Sequence, residues 1–284
     1  MSVLVPASLD DALAQLAADP SLHVLAGGTD LMVEVNMGHR RPPGILAVDR
    51  LAELRGWRHD EAAGTVRMGA GLTYAQMAGP AFAALVPALT EAARTVGSPQ
   101  IRNAGTIGGN LGTASPAGDG LPVLSALDAT VELASSAGRR TLSIHDYLLG
   151  VKRTARRPDE LITAVTVPVL RGWQGYAKVG VRNAMVIATV SASLAVDTVG
   201  RTVRLSMGAV APTVLRATEA EAWVAERVDW TGGALANAAA TAAEFGRLAA
   251  AQARPIDDHR STAAYRRHAV GVLAARLLRR AFPS

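Results

Sequence analysis

The sequence contains no cysteine, and this absence excludes several kinds of chemistry. Without thiolates the chain cannot bind an iron–sulfur cluster through cysteine, form a disulfide or use a thiol nucleophile. Lysine is also scarce, since it occurs only as Lys152 and Lys178, and arginine supplies nearly all of the positive charge. If iron–sulfur chemistry accompanies this chain, a partner protein must supply it.

Long apolar runs are absent as well. The longest one, from Val186 to Val196, is interrupted by a threonine and two serines and is too short to span a membrane. The first residues lack the basic start and apolar core of a signal peptide. The arginines near the C-terminus are not interleaved with aromatic residues, so a solvated helix face or a subunit contact is favoured over a nucleic-acid surface. We therefore expect a cytoplasmic protein that binds neither membranes nor nucleic acids.

Hydrophobic spacing and turn residues predict an α+β chain. Helices are expected over residues 8–18, 29–35, 81–96, 217–226, 233–251 and 262–281. Strands are expected over residues 22–26, 45–48, 57–59, 65–68, 176–179, 189–196 and 203–210, with further strands and one short helix near His145 between residues 129 and 168. Residues 97–122 are rich in glycine and proline and are expected to be mainly loop, and residues 172–175 are expected to break the chain.

The first glycine segment, residues 25–31, reads Leu-Ala-Gly-Gly-Thr-Asp-Leu between a predicted strand and a predicted helix. Backbone amides at such a turn can face an anion without obstruction by side chains, and a helix N-terminus favours negative charge. A phosphate or a pyrophosphate suits this arrangement. A plain strand-to-helix turn explains the same residues equally well, so this segment alone does not decide the matter.

The second glycine segment covers residues 103–119. Gly108 and Gly109 remove side chains at a point where something lies against the backbone. Asp119 supplies a carboxylate that can accept hydrogen bonds from ribose hydroxyls. Other short hydrogen-bonding side chains surround the glycines: Thr106, Asn110, Thr113 and Ser115. A long surface loop without a ligand is the alternative, but the density of small polar residues favours a binding site.

Several common sites are not indicated. The chain has no G-x-G-x-x-G after a strand, no P-loop, no H-E-x-x-H and no G-x-S-x-G. Its six histidines are scattered without the spacing of metal ligands. We therefore expect no metal site, and no residue is predicted to be catalytic.

In their order along the chain, the two glycine segments and several later stretches resemble the FAD-binding medium subunit of the molybdenum hydroxylases. That family includes the flavin domains of xanthine dehydrogenase and carbon monoxide dehydrogenase. The resemblance covers nearly the whole chain and rests on Ala26–Leu31, Ile101–Asn103, Thr106–Asn110, Ala114–Asp119, Asp159–Ile162, Tyr176–Arg182 and Arg216–Glu219.

The resemblance implies a particular α+β fold. Residues 1–54 and 55–172 are expected to form a two-part FAD-binding fold of the vanillyl-alcohol-oxidase (PCMH) type. Residues 173–284 are expected to form a C-terminal α+β domain with a three-stranded sheet and helices.

The resemblance also implies that FAD is bound non-covalently, with Ala26–Leu31 and Thr106–Asn110 bracketing its pyrophosphate. Asp119 matches a position on the adenosine side, and Ile162 and Lys178 match positions near the isoalloxazine ring. A lysine where arginine is so common suggests a compact charge near the N1–C2=O edge of the flavin, although a chance surface lysine is the alternative. The expected cofactor-binding residues are Leu25, Ala26, Gly27, Gly28, Thr29, Asp30, Leu31, Val96, Thr106, Ile107, Gly108, Gly109, Asn110, Thr113, Asp119, Ile162 and Lys178.

The implied function is electron transfer. In such enzymes a molybdopterin-containing large subunit hydroxylates the substrate, and electrons pass through two [2Fe–2S] clusters of a small subunit to FAD and then to NAD, oxygen or another acceptor. A free-standing FAD-dependent oxidase or reductase and a flavin-binding regulatory protein are the alternatives. The electron-transfer subunit is favoured, because no general base is evident beside the motifs.

Overall fold

A computed structural model describes residues 2–283, which divide into two units. Unit 1 comprises residues 2–77, 98–114 and 128–168, and unit 2 comprises residues 78–97, 115–127 and 169–283. The units therefore interleave along the chain in its first half. The expected domain limits at residues 54 and 172 stay a prediction.

The strands are short in the first half of the chain and longer in the second. They are β1 (Ser2–Leu4), β2 (His23–Leu25), β3 (Gly44–Ala47), β4 (Trp57–Asp60), β5 (Thr65–Gly69), β6 (Thr130–Ser135), β7 (Gly138–Ser143), β8 (Leu148–Gly150), β9 (Arg153–Thr154), β10 (Leu161–Pro168), β11 (Gly172–Val179), β12 (Val190–Asp197), β13 (Thr202–Gly208), β14 (Leu215–Arg216), β15 (Val228–Asp229) and β16 (Ala234–Leu235).

The helices are mostly short until the C-terminal region. They are α1 (Leu9–Ala18), α2 (Leu31–Asn36), α3 (Tyr74–Met77), α4 (Pro80–Ala83), α5 (Pro87–Thr95), α6 (Pro99–Ala104), α7 (Ile107–Thr113), α8 (Gly120–Ala126), α9 (Ile144–Tyr147), α10 (Thr218–Ala225), α11 (Ala238–Gln252) and α12 (Ala263–Ala281), with a single 3-10 turn at Ala52–Leu54. No helix within residues 2–283 has the length and apolar character needed to cross a bilayer.

Unit 1 contains two sheets. The parallel sheet has the strand order β1-β3-β2, and the antiparallel sheet has the order β4-β5-β10-β6-β7. Alternation along β5 buries Val66 and Met68 and leaves Arg67 on the other face, where it forms a two-point ion pair with Glu132 of β6. The hairpin predicted between residues 57–59 and 65–68 is confirmed, since Trp57 pairs with Met68.

Unit 2 is built on the antiparallel sheet β11-β12-β13-β14, against which α5, α8, α10 and α12 pack. Its strand β12 is buried over seven of its eight residues, as a central strand covered on both faces would be. Helices α11 and α12 approach closely, because a Cβ on Gly246 would lie only 2.4 Å from the carbonyl oxygen of Gly271. The sheet has a fourth short strand, β14, that the expected three-stranded sheet did not include.

The expectation that residues 97–122 form a loop is wrong. Helices α6 and α7 and the start of α8 lie there. Ser98 caps α6 by accepting a hydrogen bond from the amide of Ile101, and Thr106 caps α7 through the amide of Gly109. The high glycine content predicts loop because glycine has a low helix propensity, but the two caps allow helices to begin there.

Other boundaries differ for local reasons. The helix expected over residues 81–96 is divided, because Pro87 has no amide hydrogen and begins the new helix α5. The break expected at residues 172–175 is absent, since β11 runs through it and Gly175 makes room for the ring of Trp173. Helix α2 begins at Leu31 rather than at residue 29, and α11 begins at Ala238 rather than at residue 233.

Candidate cofactor-binding site

The first glycine segment joins β2 to α2 through two glycines with different roles. Gly28 has a φ of +69°, in the left-handed region that glycine enters without strain. A Cβ on Gly27 would lie 1.7 Å from the carbonyl oxygen of Ala104, so backbone packs directly on backbone there. Gly27 is therefore required by the packing of unit 1 itself, whether or not a ligand is bound.

The amides of this segment are available. Among residues 2–283, no hydrogen-bond acceptor receives the N–H groups of the five consecutive residues 27–31. Amide groups normally find a partner in the protein or in solvent, and a row of free amides on a tight turn is a concave anion site. The segment is partly buried except at Asp30, which is exposed.

The second glycine segment behaves differently, because the amides that begin α7 are already used. Ile107 donates to the carbonyl of Leu72, Gly108 donates to that of Ala70, and Gly109 donates to the hydroxyl of Thr106. A Cβ on Gly108 would lie 2.6 Å from the Ala70 carbonyl oxygen. The amide of Gly108 and the side on which it lacks a side chain therefore face protein.

Gly109 and Gly112 form a bare surface, called here the glycine face of α7. They are three residues apart and so lie on the same side of the helix. A Cβ on Gly109 would meet only the Thr106 hydroxyl, at 3.2 Å, and one on Gly112 would meet only the Cδ1 of Ile162, at 3.7 Å. The surrounding protein atoms would leave room for small side chains at both positions. Glycines that the protein packing does not require are expected where a ligand lies against a helix.

The two glycine segments are neighbours in unit 1. The hydroxyl of Thr113, at the end of α7, donates to Asp30 Oδ2 at 3.3 Å, and Gly27 packs on Ala104 as described above. Unit 1 thus brings together most of the expected residues, namely Leu25, Ala26, Gly27, Gly28, Thr29, Asp30, Leu31, Thr106, Ile107, Gly108, Gly109, Asn110, Thr113 and Ile162.

Asn110 offers one further indication of a ligand. Its Oδ1 atom is buried and accepts no hydrogen bond from the residues that the structure describes. A buried acceptor without a donor is costly and usually has an explanation. The ribose and ribityl hydroxyls of FAD are donors, so this orphaned oxygen, the free amides and the glycine face all fit a dinucleotide of that kind.

The remaining expected residues lie in unit 2, where Asp119 and Lys178 form a buried ion pair. Lys178 Nζ lies 2.9 Å from Asp119 Oδ2, and the Tyr176 hydroxyl donates to Asp119 Oδ1 at 2.6 Å. Burial raises the pKa of Asp119 above its ordinary value, while the charge of Lys178 and the two hydrogen bonds oppose that shift. Tyr176 and Lys178 are two residues apart on β11 and therefore share a face of that strand.

Lys178 is held by three acceptors. Besides Asp119, its ammonium group donates to the carbonyls of Thr95 at 3.0 Å and Val186 at 3.1 Å. Three donors are all that an ammonium group has. Val96, the other expected residue of unit 2, directly follows Thr95 and ends α5. The pair thus ties together α5, the residue before α8, and β11.

The ion pair bears on two expectations from the sequence. The resemblance implies that Asp119 lies on the adenosine side of FAD and Lys178 near the isoalloxazine ring, and the structure brings these two side chains into contact at 2.9 Å. Their roles toward FAD stay predictions. Tyr176, which sequence reasoning did not include as a site residue, joins this group, and its two-residue spacing from Lys178 was the available signal.

No three histidine or acidic side chains within residues 2–283 are grouped as metal ligands would be.

Comparisons with known proteins agree with this interpretation. Residues 1–170 match the family described as the FAD binding domain in molybdopterin dehydrogenase, and residues 176–281 match the CO dehydrogenase flavoprotein C-terminal domain. The glyceraldehyde dehydrogenase medium chain of Sulfolobus acidocaldarius is 33% identical over 94% of this chain and 92% of its own length.

Two further relatives extend the comparison. The nicotinate dehydrogenase FAD-subunit of Eubacterium barkeri is 38% identical over 61% of this chain, and the match spans 60% of that protein. The crystal structure of quinoline 2-oxidoreductase from Pseudomonas putida 86 superimposes with a TM-score of 0.89 at 26% identity, covering 99% of this chain and 96% of that one. The chain thus belongs to the FAD-binding subunits of the molybdenum hydroxylase family, and FAD is its cofactor.

Proposed function

We propose that the first glycine segment holds the pyrophosphate of FAD through its backbone amides, and that the glycine face of α7 lies against the same group. The observation that supports this most is the row of five amides without acceptors at residues 27–31. Hydrogen bonds from amides to a charged phosphate are stronger than those between neutral groups. Thr106 and Asn110 flank the glycine face and supply further polar groups to the cofactor.

In unit 2, Asp119 and Lys178 are proposed to contact the flavin together, as an ion pair. Bound FAD supplies the electron-accepting chemistry, and this chain holds the ring and sets the charge beside it. Lys178 is fixed by three acceptors, so its ammonium group is a rigid positive charge at a defined place. Tyr176 holds the carboxylate that in turn orients Lys178. The assignment of Ile162 to the ring remains part of the same proposal.

The chain is proposed to receive electrons from a [2Fe–2S] subunit, whose partner is a molybdopterin subunit that hydroxylates the substrate. It would pass these electrons to NAD, oxygen or another acceptor. This rests on membership of the family, together with the absence of cysteine from all 284 residues, which places any thiolate-bound cluster outside them.

The cofactor proposal is tested by titrating the purified chain with FAD, FMN and ADP and following flavin fluorescence. FAD should bind far more tightly than FMN, and ADP should displace it, because the free amides address the pyrophosphate. Equal affinities for FAD and FMN would refute the assignment of the first glycine segment.

The partner proposal is tested by co-expression and by turnover. The chain alone should not oxidise aldehydes, purines or N-heterocycles, and it should co-purify with an iron–sulfur and a molybdopterin protein from its own source. Turnover of such a substrate by the isolated chain would instead establish a free-standing flavoenzyme.

A further inference from the structure

Lys152, the only other lysine, lies where the two glycine segments meet a third part of unit 1. It occupies the turn between β8 and β9 with a φ of +53°. Its amide donates to the carbonyl of Ala114, the residue that ends α7, at 3.2 Å. Its ammonium group donates a hydrogen bond to Glu34 on α2. One residue thus connects the end of α7 with the helix that follows the first glycine segment.

Lys152 lies beside two carboxylates, those of Asp30 and Glu34, whose negative charge it balances. Asp30 belongs to the first glycine segment, and Glu34 lies about one helical turn after it on α2, so the segment and the helix that follows it carry two carboxylates. A pyrophosphate at the free amides of the segment is also negative and would be repelled by both. Lys152 Nζ bonds Glu34 Oε1 and lies 4.0 Å from Asp30 Oδ2, and Arg40 reaches the other Glu34 oxygen at 3.4 Å. The hydrogen bond from Lys152 is the main reason that the pKa of Glu34 is lowered, so the glutamate is charged.

We infer that Lys152 is a positioning residue that balances the acidic side of the first glycine segment, so that its amides can donate hydrogen bonds to a pyrophosphate. This inference rests on the proposed function of that segment. Lys152 does not need to touch the cofactor for this role. It neutralises two carboxylates and holds α2 in place relative to the end of α7.

The test is a titration of FAD and ADP into Lys152→Met at low and at high salt. Exposed ion pairs are individually weak, so we expect FAD and ADP each to bind about two- to tenfold less tightly. The loss should shrink at high salt, because salt screens the uncompensated carboxylates. Arg153→Met removes a positive charge from the adjacent residue and serves as the matched control, with affinity within about twofold of the native chain.

A double-mutant cycle with Glu34→Gln separates charge balance from a structural effect. Lys152→Met should weaken binding less in the Glu34→Gln background, since one of the two carboxylates is already neutral. Lys152→Arg should restore most of the affinity. An equal loss in both backgrounds at every salt concentration, or no loss at all, would overturn the inference.

Gly109→Val is titrated in parallel to keep the two claims apart. If it binds FAD normally, the proposed contact between the glycine face of α7 and the pyrophosphate is wrong. If it loses FAD while Lys152→Met does not, only the role of Lys152 is refuted.

Discussion

The neighbouring glycines of α7 provide a sharp test, because the structure gives them opposite roles. Apart from the backbone of α7 itself, a Cβ on Gly109 would meet only the Thr106 hydroxyl within 4 Å, whereas Gly108 would place a Cβ 2.6 Å from both the Cβ and the carbonyl oxygen of Ala70. Gly109 does not have a positive φ, so a larger residue there is not strained by the backbone. We expect Gly109→Val to lose FAD and keep its fold, and Gly108→Ala to lose stability.

The magnitudes follow from these distances. A valine at 109 would occupy the space of the pyrophosphate and cost at least two of its hydrogen bonds to the first glycine segment. Bonds to charged groups contribute roughly 1.5–3 kcal/mol each, so the affinity should fall about 100- to 10,000-fold. In Gly108→Ala the added methyl group must displace Ala70, and overpacking of this kind costs about 1–3 kcal/mol. That corresponds to a melting temperature lower by roughly 2–12 °C.

The assay is thermal unfolding by circular dichroism together with FAD titration on both variants and on Gly109→Ala. The alanine variant should melt at or above the native temperature, because alanine favours a helix over glycine by about 0.5–1 kcal/mol. Its FAD affinity should still fall. Near-native FAD affinity in Gly109→Val would show that the glycine face does not adjoin the cofactor. Loss of the folded spectrum in the same variant would show that Gly109 is structural.

Two further predictions concern buried charges. Lys178→Met should lower the free energy of unfolding by about 3–5 kcal/mol, because it leaves Asp119 buried without its cation. In urea denaturation, adding Asp119→Asn to this variant should recover much of the lost stability. Additive losses from the two substitutions would contradict the coupling. The second concerns Glu160, whose pKa is lowered chiefly by the hydrogen bond from Arg140. A lowered folded pKa contributes stability that is present above the unfolded value of 4.5 and disappears as the pH falls through the folded value. Unfolding free energy measured from about pH 6 to about pH 3 should therefore fall less steeply in Glu160→Gln than in the native chain, and parallel curves would assign the acid sensitivity to other groups.

Local signals in the sequence predicted much of the fold. The helix expected over residues 8–18 is present as α1, where Ser8 accepts a hydrogen bond from the amide of Asp11, and the hairpin of β4 and β5 has the expected pairing. Each of these features is determined by residues close together in the chain. Residues 97–122 depart from their local propensity. Glycine is a poor helix former, but the caps at Ser98 and Thr106 and the packing of Gly108 on Ala70 stabilise helices there.

The sequence predicts only those parts of the candidate site that are formed by consecutive residues. The two glycine segments are visible as motifs, but their different use of amides depends on acceptors at Ala70 and Leu72, which are distant in sequence. The contact between Asp119 and Lys178 joins residues 59 positions apart and leaves no local pattern. The sequence indicates both residues but does not show that their side chains are in contact.

The interleaved course of unit 2 has a consequence for synthesis of the chain on the ribosome. Helices α5 and α8 emerge early, yet the strands that cover them, β11 and β12, lie after residue 171. Until those strands are made, the apolar sides of both helices, including Leu89 and Leu124, have no sheet to pack against. The Thr95 carbonyl and the Asp119 carboxylate likewise lack their hydrogen bonds from Lys178 until that residue has been synthesised. A nascent chain halted near its midpoint therefore exposes apolar surface, and the Asp119–Lys178 ion pair forms only after translation has passed the middle of the sequence.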